Sequence, residues 1–180
     1  MKTYQVKITL LGIQPAIWRR LLVPADTNLR KLHRTVQIAM GWTDSHLHQF
    51  RLERQRCSGP QYGRDSGVLD KFKTKLCDVV HIPGNRFLYE YDFGDGWQHE
   101  VLLEEVLERD GPSRPICVAG ERRCPPEDCG GPPGFAELLE ILGDPAHPRH
   151  EEMVEWIGGS LNPEHFDLTK INRRLSRLKG

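Results

Sequence analysis

The run Tyr91-Asp92-Phe93-Gly94-Asp95-Gly96-Trp97-Gln98-His99-Glu100 gathers three carboxylates and an imidazole around a glycine turn. A second block, Cys124-Pro125-Pro126-Glu127-Asp128-Cys129-Gly130-Gly131, adds two carboxylates and two thiols on a backbone stiffened by proline. Carboxylates and imidazole are natural ligands of divalent metals, so Asp95, His99, Glu127 and Asp128 form a candidate metal set. Water on such a metal could attack an ester, which is hydrolase or nuclease chemistry. With Asp92, Trp97 and Glu100, the same residues outline a polar pocket for a small ligand, a peptide or a protein partner. The competing reading is architectural: Asp95 supplies turn chemistry, while Trp97, His99, Val101 and Leu103 share one strand face and pack inward.

Three further groupings carry weaker signals. Cys117, Cys124 and Cys129, with His99 or the His46-Leu47-His48 pair, suggest zinc. The six residues between Cys117 and Cys124 exceed the spacing of ordinary zinc knuckles, and buried free cysteines behave as small hydrophobes. Ser45 beside His46 lacks a nucleophile elbow and reads as a turn residue. Arg19, Arg20, Arg30, Lys31 and Arg34, and separately Lys170, Arg173, Arg174, Arg177 and Lys179, form basic groups that could touch nucleic-acid phosphates. Cations toward a helix C-terminus are also what the helix dipole favours.

These residues must be held by elements that the sequence pattern predicts. Tyr4, Val6, Ile8 and Leu10 alternate with polar residues, which predicts a strand. Ile17 to Val23 reads as its antiparallel partner, ended by Pro24, with Arg19 on the inward face near an edge or snorkelling. Asp26 or Thr27 caps a helix carrying Leu29, Leu32, Val36, Ala39 and Met40, closed by Gly41. His48, Phe50 and Leu52 suggest a third strand able to join the first two. Arg54 to Asp70 reads as a long loop, and a short element covers Phe72 to Val80. Arg86 to Phe93 and Trp97 to Leu107 form a hairpin turning at Gly94-Asp95-Gly96, with Phe87, Tyr89, Tyr91 and Phe93 on one face. The Pro, Gly and Cys content of 110–133 argues against regular structure there. Helices follow from Pro133, after Pro148 with Met153, Trp156 and Ile157 inward, and after Asp167. The pattern predicts a single α+β domain over 1–180: a mixed or antiparallel sheet with an N-terminal β-β-α-β, β-grasp-like unit, a central hairpin and C-terminal helices.

Composition sets outer limits. The 180 residues are 38% hydrophobic, enough for one core without disulfides. With 25 basic and 25 acidic side chains, no global field draws the molecule to nucleic acid or an anionic membrane. The N-terminus alternates instead of forming an apolar leader, and no apolar run reaches the ~18 residues of a membrane span. Five cysteines, an odd number, fit reduced thiols. The expectation is a soluble, cytoplasmic protein.

Ile17-Trp18-Arg19-Arg20, Gly41-Trp42, His46-Leu47-His48-Gln49-Phe50 and the two blocks above occur in an order that resembles the plasmid pRiA4b Orf-three-like family over nearly the whole chain. The resemblance implies an α+β fold found on bacterial and archaeal plasmids and chromosomes, some of whose members carry a transposon-passenger or resolvase label. Resolvase chemistry does not fit: a serine recombinase needs an early nucleophilic serine, and the first serine here is Ser45. The positions that match the family's motifs are Asp92, Asp95, His99, Glu127 and Asp128. The leading reading is a binding or accessory module, associated with plasmids or mobile elements. A metal-dependent hydrolase or nuclease is the second, and a weak nucleic-acid binder the third.

Overall fold

The computed structural model describes residues 2–52, 70–108 and 111–178. Within them, six strands form one sheet: β1 (Thr3–Leu10), β2 (Ile17–Pro24), β3 (His48–Arg51), β4 (Arg86–Tyr91), β5 (Trp97–Leu107) and β6 (Ile116–Glu121). Their order is β3-β4-β5-β1-β2-β6, and every neighbouring pair is antiparallel. The helices are α1 (Leu29–Met40), α2 (Leu76–Val79), α3 (Gly131–Gly143), α4 (His150–Trp156) and α5 (Leu168–Leu175). The β-β-α-β order holds along the chain, but β3 lies at the far edge beside β4 and not beside the first two strands. The long loop expected over 54–70 falls almost entirely outside the described residues. No helix among the described residues is long and apolar enough to cross a membrane.

β1 is central because its alternation is strict: Tyr4, Val6, Ile8 and Leu10 are all at most 4% exposed. Together with Leu21, Val23, Val101 and Leu103 they meet the apolar face of α1, formed by Leu29, Leu32, Val36 and Ala39. The opposite sheet face is polar. There Arg20 makes a two-point contact with Glu104 (2.5 and 2.9 Å), Gln5 donates to the same carboxylate, and Lys7 and Arg20 lie over the Trp18 ring.

Several local expectations are corrected. Asn28, not Asp26 or Thr27, caps α1, its side chain accepting from the Lys31 N–H at 2.8 Å; Gly41 closes the helix at φ 98°, as read. Residues 116–121 form a strand in the stretch expected to be irregular, so β2 is not an edge and Arg19 is buried, at 3% exposure. Phe93 leaves the apolar face because Asp92, at φ 55°, turns the chain first; the ring is 49% exposed. Trp156 lies 46% exposed on α4.

Candidate functional site

Trp42 organises the site. Gly41 ends α1 in the left-handed conformation, and the next residue turns its indole into the core, where it is 3% exposed. The ring stacks on Tyr91 (centroids 5.0 Å apart) and meets His99 edge-on (5.2 Å), while Nε1 donates to the Pro125 carbonyl at 3.0 Å. One side chain thus fastens the end of α1 to the β4–β5 hairpin and to the proline segment. Burying an indole with its N–H satisfied secures both the area and the orientation.

The acidic turn and the proline segment meet through two further direct ties, and the 43–46 link is bound to both. Glu127 accepts from the Tyr91 hydroxyl with one carboxylate oxygen and from the Thr43 hydroxyl and N–H with the other. Asp95 accepts from the Gly130 N–H at 3.2 Å. Tyr91 also receives the Ser45 N–H at 3.0 Å, which fixes the 43–46 link against the same junction. Loss of solvation, then the bond to Glu127, raises the Tyr91 phenol well above its ordinary range, so it stays a donor.

At this junction three side chains converge that local sequence does not connect. His46 Nε2 lies 3.2 Å from Asp128 Oδ1 and 3.7 Å from Asp92 Oδ2. Those separations fall within ion-pair range, yet the same nitrogen is sealed from solvent and makes no aligned hydrogen bond. Asp92 and Asp128 both hold positive φ, 55° and 61°, a conformation that aspartate tolerates better than most residues. The other Asp92 oxygen accepts from the Gly94 and Asp95 N–H groups, which locks the carboxylate in place. Asp128 is the open side of the group, with 70% of its side chain exposed.

A second cluster lies along the same link. His33, on α1, is within 2.6 Å of Asp44 through Nε2 and 2.8 Å of the Tyr89 hydroxyl through Nδ1, and its ring stacks on His48 with centroids 3.4 Å apart. Desolvation lowers both histidines, His48 to about 4, so the stacked pair is neutral near pH 7. Lys71 Nζ, 3.4 Å from His48 Nε2, makes this a poorer cation site than the first cluster.

The structure brings together Asp92 and Asp128 from the expected set and adds His46; it distributes the others. His99 is fully buried and packs against Tyr89 and Trp42 in the core. Trp97 is likewise a core residue with no exposure. Glu100 lies on the opposite sheet face, paired with Arg86 at 3.0 Å. Asp95 and Glu127 serve as ties between segments. Among the described residues, no three-ligand group of His, Cys, Asp or Glu includes a cysteine. Cys124 accepts from Arg19 and touches Met40, Cys117 faces the Ala119 carbonyl, and burial raises the thiols of Cys117 and Cys124 to about 11 and of Cys129 to about 12. In the first basic group, Arg19 is internal and Arg20 is held by Glu104. The recoverable signal for His46 was the density of acid and imidazole in Thr43-Asp44-Ser45-His46-Leu47-His48, a segment with no periodicity to say which way each side chain points.

Buried His99 makes stability depend on pH. Desolvation lowers its folded value to about 4 from an ordinary 6.5, and Nε2 has no partner to hold a proton. The unfolded chain therefore binds the proton first: the contribution is intact above pH 6.5 and is lost as pH falls toward 4. The unfolding free energy from urea titrations should drop between pH 6.5 and 4 by an amount on the order of 2 kcal/mol from this group. His99→Gln should flatten that segment of the curve; an unchanged slope would mean that His99 does not control it.

Comparison with known proteins gives three likenesses. The sequence pattern of the plasmid pRiA4b ORF-3-like proteins matches residues 2–170. An uncharacterized protein of Sinorhizobium fredii is 41% identical over 157 residues, covering 87% of this chain and 81% of that one. The crystal structure of a protein of unknown function from Methanosarcina mazei superposes with a TM-score of 0.82 at 39% identity, covering 93% of this chain and 96% of that chain.

Proposed function

This chain belongs to the plasmid pRiA4b ORF-3-like family, and from that starting point we propose that it is a binding module holding one divalent transition-metal ion through His46, Asp92 and Asp128. One observation carries the reading. Two ligand atoms bonded to a common ion at roughly 2.1 Å, with a tetrahedral angle between them, stand about 3.4 Å apart. The His46 nitrogen stands 3.2 and 3.7 Å from its two carboxylate oxygens. It forms no hydrogen bond with either, so its lone pair is free to ligate when the other ring nitrogen carries the proton. Imidazole with two carboxylates suits zinc or manganese better than calcium, which prefers an all-oxygen shell.

Protein purified without chelator or nickel resin should contain about one equivalent of metal by elemental analysis, or take up zinc or manganese in titration. His46→Ala combined with Asp128→Ala should lower metal affinity at least tenfold, roughly 1.4 kcal/mol or more per site. His99→Gln should retain it, which separates this set from one built on His99. Full metal content in the double variant would overturn the assignment, as would failure of the wild type to bind either ion.

A second reading rests on the exposure of Asp128. Three protein ligands with one open side leave a coordination position for water, the arrangement of hydrolytic zinc sites. Turnover of bis(p-nitrophenyl) phosphate by the zinc-loaded chain, lost in His46→Ala, would make the module an enzyme.

A further inference from the structure

The 123–127 segment also lines a cavity of about 310 Å³ whose walls include none of His46, Asp92 and Asp128. Its walls are the end of α1 with Trp42, the segment from Arg123 to Glu127, and residues 165–174, which lead into α5 and run along it. The charge lining it is unbalanced: Arg19, Arg123, Lys170 and Arg174 face two carboxylates, Glu127 and Asp167. Both carboxylates are already engaged. Glu127 accepts from Tyr91 and Thr43, and Asp167 caps α5 by accepting the Lys170 N–H at 2.8 Å. Among the described residues, none of the four cations forms an ion pair.

Arg19 gives the cavity its character. Its side chain is buried, and its donors go to the carbonyls of Ala39, Trp18, Glu121 and Arg122 and to the Cys124 sulfur. Those dipoles satisfy the N–H groups but do not cancel the charge. A cation held in protein, without a counter-ion, projects a stronger field into an adjoining cavity than the same charge in water. Arg123, Lys170 and Arg174 then supply side-chain donors that have no hydrogen-bond partner among the described residues. Ile38, Trp42 and Ile171 add apolar wall, and the volume lies at the small end of ligand cavities.

We propose that this cleft binds a small phosphate monoester carrying a planar or apolar body. A phosphate dianion matches the two positive charges in excess, and arginine with lysine is the donor set that recognises phosphate. A carboxylate would neutralise half of that excess. A nucleic-acid strand fits less well, because these cations converge on one cavity instead of following a track, and Arg20 on the outer sheet face is already held by Glu104.

The test is calorimetric titration of the full chain, stripped of metal by chelator so that the His46 triad cannot capture phosphate through an ion. The probes are phenyl phosphate, inorganic phosphate, benzoate and a short single-stranded oligonucleotide. Phenyl phosphate should saturate a single site with Kd below about 1 mM, at least tenfold tighter than benzoate. Lys170→Gln with Arg174→Gln, which leaves the Asp167 cap and Arg19 in place, should weaken it about tenfold or more, whereas Arg173→Gln, exposed and outside the cleft wall, should not. Should the double variant melt early, Lys170→Gln alone should show a weakening of about threefold and a shallower dependence on salt. No saturation by phenyl phosphate, affinity unchanged in the Lys170 variants, or an oligonucleotide that binds while phenyl phosphate does not would each overturn the proposal.

Discussion

Arg19→Ala should lower the stability of this protein by about 4 kcal/mol, more than any other single charged-to-alanine change in the sheet. The residue sits on the inward face of β2 at 3% exposure, where an aliphatic side chain would be expected, and ties together four pieces of chain. Nε bonds the carbonyl of Ala39 in the last turn of α1, one of the carbonyls that a helix cannot satisfy itself. Nη1 bonds Trp18 and Glu121, and Nη2 bonds Arg122 and the Cys124 sulfur, so the end of β6 and the chain leaving it are held as well. The guanidinium also covers the Phe166 ring at 4.8 Å. Removing it strands carbonyls where water has poor access, each costing about 1 to 3 kcal/mol before relaxation. Partial collapse recovers some of that, which leaves the net near 4. For a chain of this length the melting temperature should fall by roughly 10 °C. Arg19→Lys should recover less than half of the loss, because an ammonium is a point donor and cannot serve partners in several directions at once. Urea unfolding of the three proteins measures this; a loss below about 1 kcal/mol for Arg19→Ala would show that the carbonyls find other donors and that Arg19 is not the brace.

That role was illegible in the sequence for a specific reason. Alternation placed Arg19 inward, but position alone suggested an edge strand, since nothing local announced β6. Ile116-Cys117-Val118-Ala119-Gly120-Glu121 contains a glycine and is flanked by prolines, so it reads as loop. In the structure Gly120 is a packing position: a Cβ there would stand 2.7 Å from the Phe166 ring and 2.9 Å from Arg19 Cδ. The glycine lets the ring and the guanidinium stack close to the strand, a non-local requirement that looks like a chain breaker. By contrast β1, β2 and the β4–β5 hairpin were legible because one face of each is buried and the period is two. The inward orientation of His99 followed from the same alternation. His46 was harder, because its partners come from the hairpin turn and the proline segment, and it takes tertiary contacts, those of Trp42, Glu127 and Asp95, to bring them to one point. The acidic turn and the proline block were readable as two special segments; which of their side chains converge was not.

Gly131→Ala should break that convergence and cost about 3 kcal/mol or more. Gly131 opens α3 at φ 69°, where any residue with a Cβ is strained by about 1 to 2 kcal/mol. The larger effect is steric. A Cβ would stand 2.3 Å from the Asp95 carbonyl oxygen and 3.2 Å from its carbon, and both are backbone, so no rotamer change relieves the overlap. Either the hairpin turn or the start of α3 must move by an ångström or so. Any such movement pulls Gly130 N–H from the Asp95 carboxylate, now 3.2 Å away, and separates Asp92 from Asp128, which flank these two contacts along the chain. The proposed metal triad would be far less tolerant of displacement than the core, because ligand distances must hold within about 0.2 Å. Metal affinity should therefore fall at least tenfold in Gly131→Ala, while the β1–β2 side of the sheet, remote from the clash, keeps its hydrogen-exchange protection. If the metal is instead bound as tightly in Gly131→Ala as in the wild type, the turn and the proline segment do not jointly build the site. If protection is lost across the whole sheet, the junction supports the fold globally and is not a local fastening.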